Sequence, residues 1–145
     1  RKRIAVALEP DLLYAVTGFL TDMGAEVVAA VSPTQSPVLE RLKAATIMVG
    51  DHSDVETLAR DADLIVSNSH GRQGAARIGV PLHRMGLPMF DRLGAGLRVQ
   101  VGYRGTRELL CGIGNLFLAR EMDHSHHESG ESHGCGGGSC GCNAV

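Results

Sequence analysis

The sequence predicts an α/β domain, a Rossmann-like three-layer parallel sheet flanked by helices, followed by a disordered C-terminal tail. Three observations predict it. Short apolar runs of strand length alternate with stretches whose apolar residues recur at helical spacing. The run Leu64–Val66 is apolar throughout, as a strand covered on both faces must be. Polar loops dense in Asn, Ser, His, Arg, Asp and Gly follow two of the runs, where an open parallel sheet gathers its functional residues.

The elements follow in order. Ile4–Leu8 reads as a buried strand. Pro10 and Asp11 suit a helix start, and Leu12, Leu13, Val16, Phe19, Leu20 and Met23 give it one apolar face. Gly24 ends it. Val27–Val31 is a second strand, and Ser36 can cap a short helix carrying Val38, Leu39 and Leu42. Thr46–Val49 is a third, short strand. Val55, Leu58 and Ala59 mark a helix capped by Ser53 or Asp54. After the Leu64–Val66 strand, a helix is expected from about Arg72 to Ile78, ended by Gly79. Pro81–Met85 is a fifth strand whose proline suits an edge or a strand start. The last helix is expected from Arg107 to about Met122, with Thr106 as its cap and Leu109, Leu110, Ile113, Leu116, Phe117 and Leu118 as apolar positions. Parallel strands joined by helices imply right-handed crossovers.

Composition bounds the function. A chain of 145 residues is one domain with a real core. It is 43% hydrophobic but only 3% aromatic, so aliphatic side chains and methionine must fill that core. The net charge of −2 offers no general nucleic-acid surface, and no apolar run reaches the roughly 20 residues of a membrane span. Arg1-Lys2-Arg3 leads straight into a strand rather than a signal-peptide core, which reads as a piece cut from a longer polypeptide. Three of the four cysteines lie in the last eleven residues, and Cys111 has no partner in the body. That is no disulfide framework, and a cytoplasmic location fits. Residues 1–122 form the expected domain. Residues 123–145 form a His/Cys/Gly-rich tail with too little apolar surface to fold alone.

The motifs divide into those that exclude and those that point. Glu9-Pro10-Asp11 stands where a dinucleotide-binding protein carries its glycine fingerprint, and a carboxylate there repels a pyrophosphate. No nucleophile elbow or Walker pattern is present, so no catalytic residue is expected. Asn68-Ser69-His70-Gly71-Arg72 is a strand-to-helix turn. Asn68 or Ser69 can cap it, and Gly71 permits close backbone approach or a positive φ. His70 and Arg72 then project at the sheet's carboxyl edge, either as surface polar groups or as the wall of a cofactor or protein contact. In Gly86-Leu87-Pro88-Met89-Phe90-Asp91-Arg92, an apolar anchor flanked by Asp and Arg reads equally as an interface patch or as a ring plugging a loop. Two glycines around Tyr103 and Arg104 suggest a tight loop, with Tyr103 as a packed ring. In the tail, His124, His126, His127, His133, Cys135, Cys140 and Cys142 are imidazole and thiol donors for zinc or iron. Their spacing matches no preformed site. They read either as a solvated tail or as a loose metal collector.

These same segments, with Val80-Pro81-Leu82-His83-Arg84, Val101-Gly102-Tyr103-Arg104-Gly105 and the opening Lys2-Arg3-Ile4-Ala5-Val6, resemble the C-terminal domain of nitrogenase component 1-type proteins over roughly Arg1 to Leu118. Within that superfamily the pattern is most similar to the scaffold on which the iron-molybdenum cofactor is finished. The catalytic β subunit usually carries Tyr and Lys where this chain has His70 and Arg72, and a His-rich run where it has Leu93-Gly94-Ala95-Gly96.

The resemblance implies a cytoplasmic heterotetramer with an E-type subunit, a second copy of the heterodimer, and docking of the reductase component. It implies a bridging [4Fe-4S] cluster and a cofactor precursor in the full complex, with ligands that map onto no residue here. What the matched residues imply is fold and packing, with His70, Arg72, Phe90, Asp91, Arg92, Tyr103 and Arg104 as interface residues. The alternatives are a catalytic nitrogenase β subunit, a protochlorophyllide reductase subunit, or a metal-binding chaperone acting through its tail.

Overall fold

A computed structural model describes the backbone of residues 1–128 and the side chains of residues 1–122. Five strands form one parallel sheet in the order β3-β2-β1-β4-β5. They are β1 (Arg3–Ala7), β2 (Glu26–Ser32), β3 (Thr46–Val49), β4 (Leu64–Ser67) and β5 (Leu82–Arg84). The helices are α1 (Pro10–Asp22), α2 (His52–Leu58), α3 (Gly71–Ile78) and α4 (Gly102–Glu128). Two 3₁₀ turns, Pro37–Arg41 and Ala95–Leu97, complete the connections.

Alternation along the central strands sorts the core into two halves. Ile4, Val6, Leu8, Leu64 and Val66 face α1 and α4, meeting Leu13, Val16, Leu20, Leu109 and Ile113. Ala5, Ala7, Ala29 and Ile65 face α2 and α3, meeting Val55, Ala59 and Ala75. One layer is built from large aliphatic side chains. The other is rich in alanine, so α2 and α3 lie close on the sheet. Lys2 Nζ pairs with Glu121 at 3.0 Å, and Arg120 Nη1 donates to the Asp63 carbonyl at 3.1 Å. These contacts tie the far part of α4 to the amino end of the sheet.

Several boundaries differ from the sequence expectation. Asp51, rather than Ser53 or Asp54, caps α2: its carboxylate accepts from Ser53 N and Asp54 N, while Asp54 accepts from Asp51 N. This is a reciprocal capping box with Asp in the acidic role. The fifth strand contracts to three residues. The last helix begins five residues earlier than expected, so Thr106 is not its cap. Its hydroxyl instead donates back to the Gly102 carbonyl. The helix also continues past Met122 to Glu128, because no glycine or proline interrupts the chain there. Gly24 and Gly79, at φ +86° and +69°, terminate α1 and α3 as expected.

Candidate functional site

The strand order reverses between β1 and β4, and an open parallel sheet forms its crevice outside such a switch point. A cavity of about 750 Å³ lies there, with Glu9, Asp11, His52, Asn68, His70 and Gln100 among its lining residues. Its carboxylates carry the wrong charge for a phosphate, as the Glu9-Pro10-Asp11 turn predicts.

The segment 67–70 leaving β4 and the loop after β5 are locked together. Register places Ser67 opposite both Ala7 and Arg84, which sets Arg84 beside the β4–α3 turn. Asn68 Nδ2 donates to the Leu87 carbonyl at 2.9 Å, and Asn68 Oδ1 accepts from His70 N at 3.1 Å. Ser69 N donates to the Pro88 carbonyl at 3.1 Å. The Ser69 hydroxyl accepts from Phe90 N at 3.1 Å and donates to Asp91 Oδ1 at 2.5 Å. Arg84 Nε donates to Asp91 Oδ2 at 2.8 Å, and Arg72 Nε stands 3.9 Å from the same oxygen.

The Ser69 hydrogen bond and the Arg84 charge hold the Asp91 carboxyl below its ordinary value against the opposing effect of burial. Asp91 is therefore turned inward. It organises the loop and leaves outward contact to its neighbours. Ser69 is buried with both hydroxyl roles engaged, which leaves no free nucleophile beside His70.

What this framework presents is an aromatic ring. Phe90 is 63% exposed, so the ring is not the loop plug that was one of its two sequence readings. The edge of His70 meets it at 5.3 Å between centroids, and His70 in turn lies 5.9 Å from His52. Burial first, then the His70 charge, lowers the His52 pKa. Arg72, Arg92 and Arg104 are exposed. Tyr103 is 98% exposed, in contrast to the expected packed ring, because it sits on the outer side of the first turn of α4. The inward position there belongs to Gly105, where a Cβ would fall 2.3 Å from the Gln100 carbonyl carbon.

Sequence reasoning missed Ser69 and Arg84 as the partners of Asp91, and His52 as the third ring. Asp91 lies 22 residues from Ser69, and no local pattern announces such a pairing. The structure brings Arg72 and Asp91 together, and His70 and Phe90 together.

No group of three or more metal-ligating side chains is present among the described residues. Cys111 stands alone and exposed on α4, so the described residues do not supply the thiolates of an iron-sulfur cluster. Of His124, His126 and His127 only the helical backbone is described; His133, Cys135, Cys140 and Cys142 lie outside the described residues. No helix among the described residues is long and apolar enough to cross a membrane.

Asp91→Asn keeps the loop's shape and removes its charge. We expect a lower melting temperature at neutral pH. The gap to the parent should shrink on acidification, because a carboxylate with a depressed pKa stabilises above its unfolded value and loses that effect as pH falls through the folded one. Thermal melts of both proteins across that range check it, and a pH-independent gap would contradict the assignment.

The family model described as nitrogenase component 1 type oxidoreductase matches residues 1–118. The protein named nitrogenase iron-molybdenum cofactor biosynthesis protein NifN from Rippkaea orientalis is 51% identical over 128 residues, covering 88% of this chain and 28% of its own length. The protein of the same name from Bradyrhizobium diazoefficiens is 49% identical, covering 85% and 27%. Among solved structures, nitrogenase Cp1 at pH 6.5 superposes with a TM-score of 0.74 at 27% identity, over 82% of this chain and 29% of that one. The chain thus spans under a third of the length of the relatives it matches.

Proposed function

The chain belongs to the nitrogenase component 1 type oxidoreductase family, and from that premise we propose that it is the C-terminal domain of a NifN-type scaffold subunit on which the iron-molybdenum cofactor is matured. The observation that carries this reading is the gap in identity: 51% and 49% to proteins named for cofactor biosynthesis, against 27% to a nitrogenase of the same fold.

In this reading the partners are a NifE-like subunit, a second heterodimer and the reductase component, in the cytoplasm. The bridging [4Fe-4S] cluster is a resident group of the whole assembly and the cofactor precursor is its cargo, both held by residues outside this chain's described part. The domain's task is mechanical. The Ser69–Asp91–Arg84 framework fixes the loop carrying Phe90 and Arg92 against the turn carrying His70 and Arg72, while Tyr103 and Arg104 are presented by the first turn of α4, and together these residues meet a neighbour. A rigid exposed aromatic beside arginines is the composition of an interface anchor. The tail's imidazoles and thiols collect zinc or iron loosely in the same scheme.

Reconstitution tests the function. The full-length protein, purified with its E-type partner and loaded with precursor, is supplied with molybdate, homocitrate, reductase component and ATP. We expect it to activate a cofactor-free component 1 protein while reducing no acetylene itself. Intrinsic acetylene reduction without activation of the acceptor would establish the catalytic subunit instead.

A further inference from the structure

Three of the chain's seven histidines fall within four residues, at His124, His126 and His127. Histidine is a weaker helix former than glutamate, lysine or arginine, so a helix that met only solvent would have no reason to concentrate it. Yet the backbone of α4 stays helical through all three and on to Glu128.

The helix fixes which of these positions share a side. At about 100° per residue, positions three and four apart lie on one face, with Cβ atoms about 5–6 Å apart. Positions 124, 127 and 128 form such a triangle, and position 126 falls on the opposite side of the helix. Two contacts set the direction of the triangle. Arg120 Nη1 donates to the Asp63 carbonyl and Lys2 Nζ pairs with Glu121, so positions 120 and 121 bracket the side of α4 turned to the amino end of the sheet. Position 124 falls between them one turn on, position 128 between them two turns on, and position 127 beside them.

We propose that the register His124–His127–Glu128 on α4 is a binding site for one divalent cation of the zinc and iron(II) class. Two imidazoles and a carboxylate are a borderline donor set. It suits zinc and iron(II) and disfavours magnesium and calcium, whose preferred ligands are oxygens. Histidines four apart on one helix, and a glutamate three before a histidine, are spacings by which helices hold such ions. Glu121 stands three before His124 on the same side, and its exposed pair with Lys2 is weak enough to open. The inference deepens the tail reading above and rests on it: among donors that would otherwise collect metal loosely, α4 supplies the fixed spacing that makes a defined site. It does not need the scaffold reading.

The test uses the full-length protein and zinc, by equilibrium dialysis in excess magnesium. We expect zinc binding to weaken at least tenfold in His124→Ala and in His127→Ala, and to be unchanged in His126→Ala. Ser125→Pro keeps every imidazole, carboxylate and thiol but interrupts the helix between the donors, and it should weaken binding by the same factor. The combined Cys135→Ser, Cys140→Ser, Cys142→Ser variant should bind as the parent does. Zinc should also slow amide hydrogen exchange across 121–128 in the parent and not in the proline variant. Parent-like binding by Ser125→Pro, or equal losses at His124 and His126, would overturn the helical site and leave loose collection by the tail standing. Loss of binding in the cysteine variant would give the ion to the thiols and also overturn the site. A parent that binds no zinc, or binds it identically in every variant, would overturn the tail reading as well. The scaffold reading, tested by reconstitution, is untouched by any of these outcomes.

Discussion

Gly71→Val is expected to destabilise the domain by about 3 kcal/mol, the upper part of the range for overpacking a filled interior. A Cβ at position 71 would lie 3.0 Å from both Cβ and Oγ of Ser67. Ser67 is fully buried at the end of β4, and the next neighbour, Leu82 Cδ1, is already at 3.7 Å. The two further methyl groups of valine therefore have no free volume, and α3 must lift from the sheet. That movement also pulls Ser69 from Asp91, so the loss extends to the loop that presents Phe90. Gly71→Ala adds only the first atom and should cost about 1 kcal/mol. The Ser67 hydroxyl has no hydrogen-bond partner among the described residues. Ser67→Ala should therefore be near neutral alone and should recover part of the Gly71→Ala loss, a coupling that a double-mutant cycle reads directly. Urea midpoints at constant slope measure all four proteins. A valine variant within about 0.5 kcal/mol of the parent would show that α3 does not rest on β4 through this glycine.

The role of Gly71 was legible in sequence as a close backbone approach, though its alternative reading, a positive φ, is not what the backbone adopts. The alternation of strands and helices was legible because β1 and β4 are apolar on both faces, as only strands covered twice can be. The strand order was not, since a crossover to either side of β1 leaves the same local pattern. Gly102 and Gly105 misled for a physical reason. Paired glycines signal a loop, but here Gly105 lies within the first turns of α4 and is required by the nearness of the Gln100 backbone, not by a bend. The polar framework was half visible. Its residues stood out as motifs, but that Asp91 faces Ser69 and Arg84 rather than a partner depends on register between β4 and β5. Register is a property of the folded sheet, and single segments do not encode it.

His83 should make the domain acid-sensitive well above the range where carboxylates titrate. Its ring sits under α4, where Gly112 leaves it room: a Cβ there would fall 2.7 Å from His83 Cε1. Burial, and secondarily the positive charge of Arg98, push its pKa from 6.5 down to about 4. Arg84 and Glu108 also line the space around it, but no hydrogen bond among the described residues gives the ring an acceptor for a second proton. Between those two values the unfolded chain binds a proton that the folded chain does not. Stability therefore rises with pH across the interval, is complete above the unfolded value, and is lost as pH falls toward the folded one. A displacement from 6.5 to about 4 corresponds to about 3 kcal/mol. His52, lowered by burial and by His70, adds to the loss in the same direction, while the depressed carboxyl of Asp91 acts only at lower pH. His83→Gln keeps a neutral side chain of similar size and removes the titration. Urea unfolding at a series of pH values should show the parent falling steeply from neutrality toward pH 4 and the glutamine variant retaining most of its stability. Parallel curves for the two proteins would mean that the ring is hydrated in the folded domain and that α4 does not seal the edge of the sheet at β5.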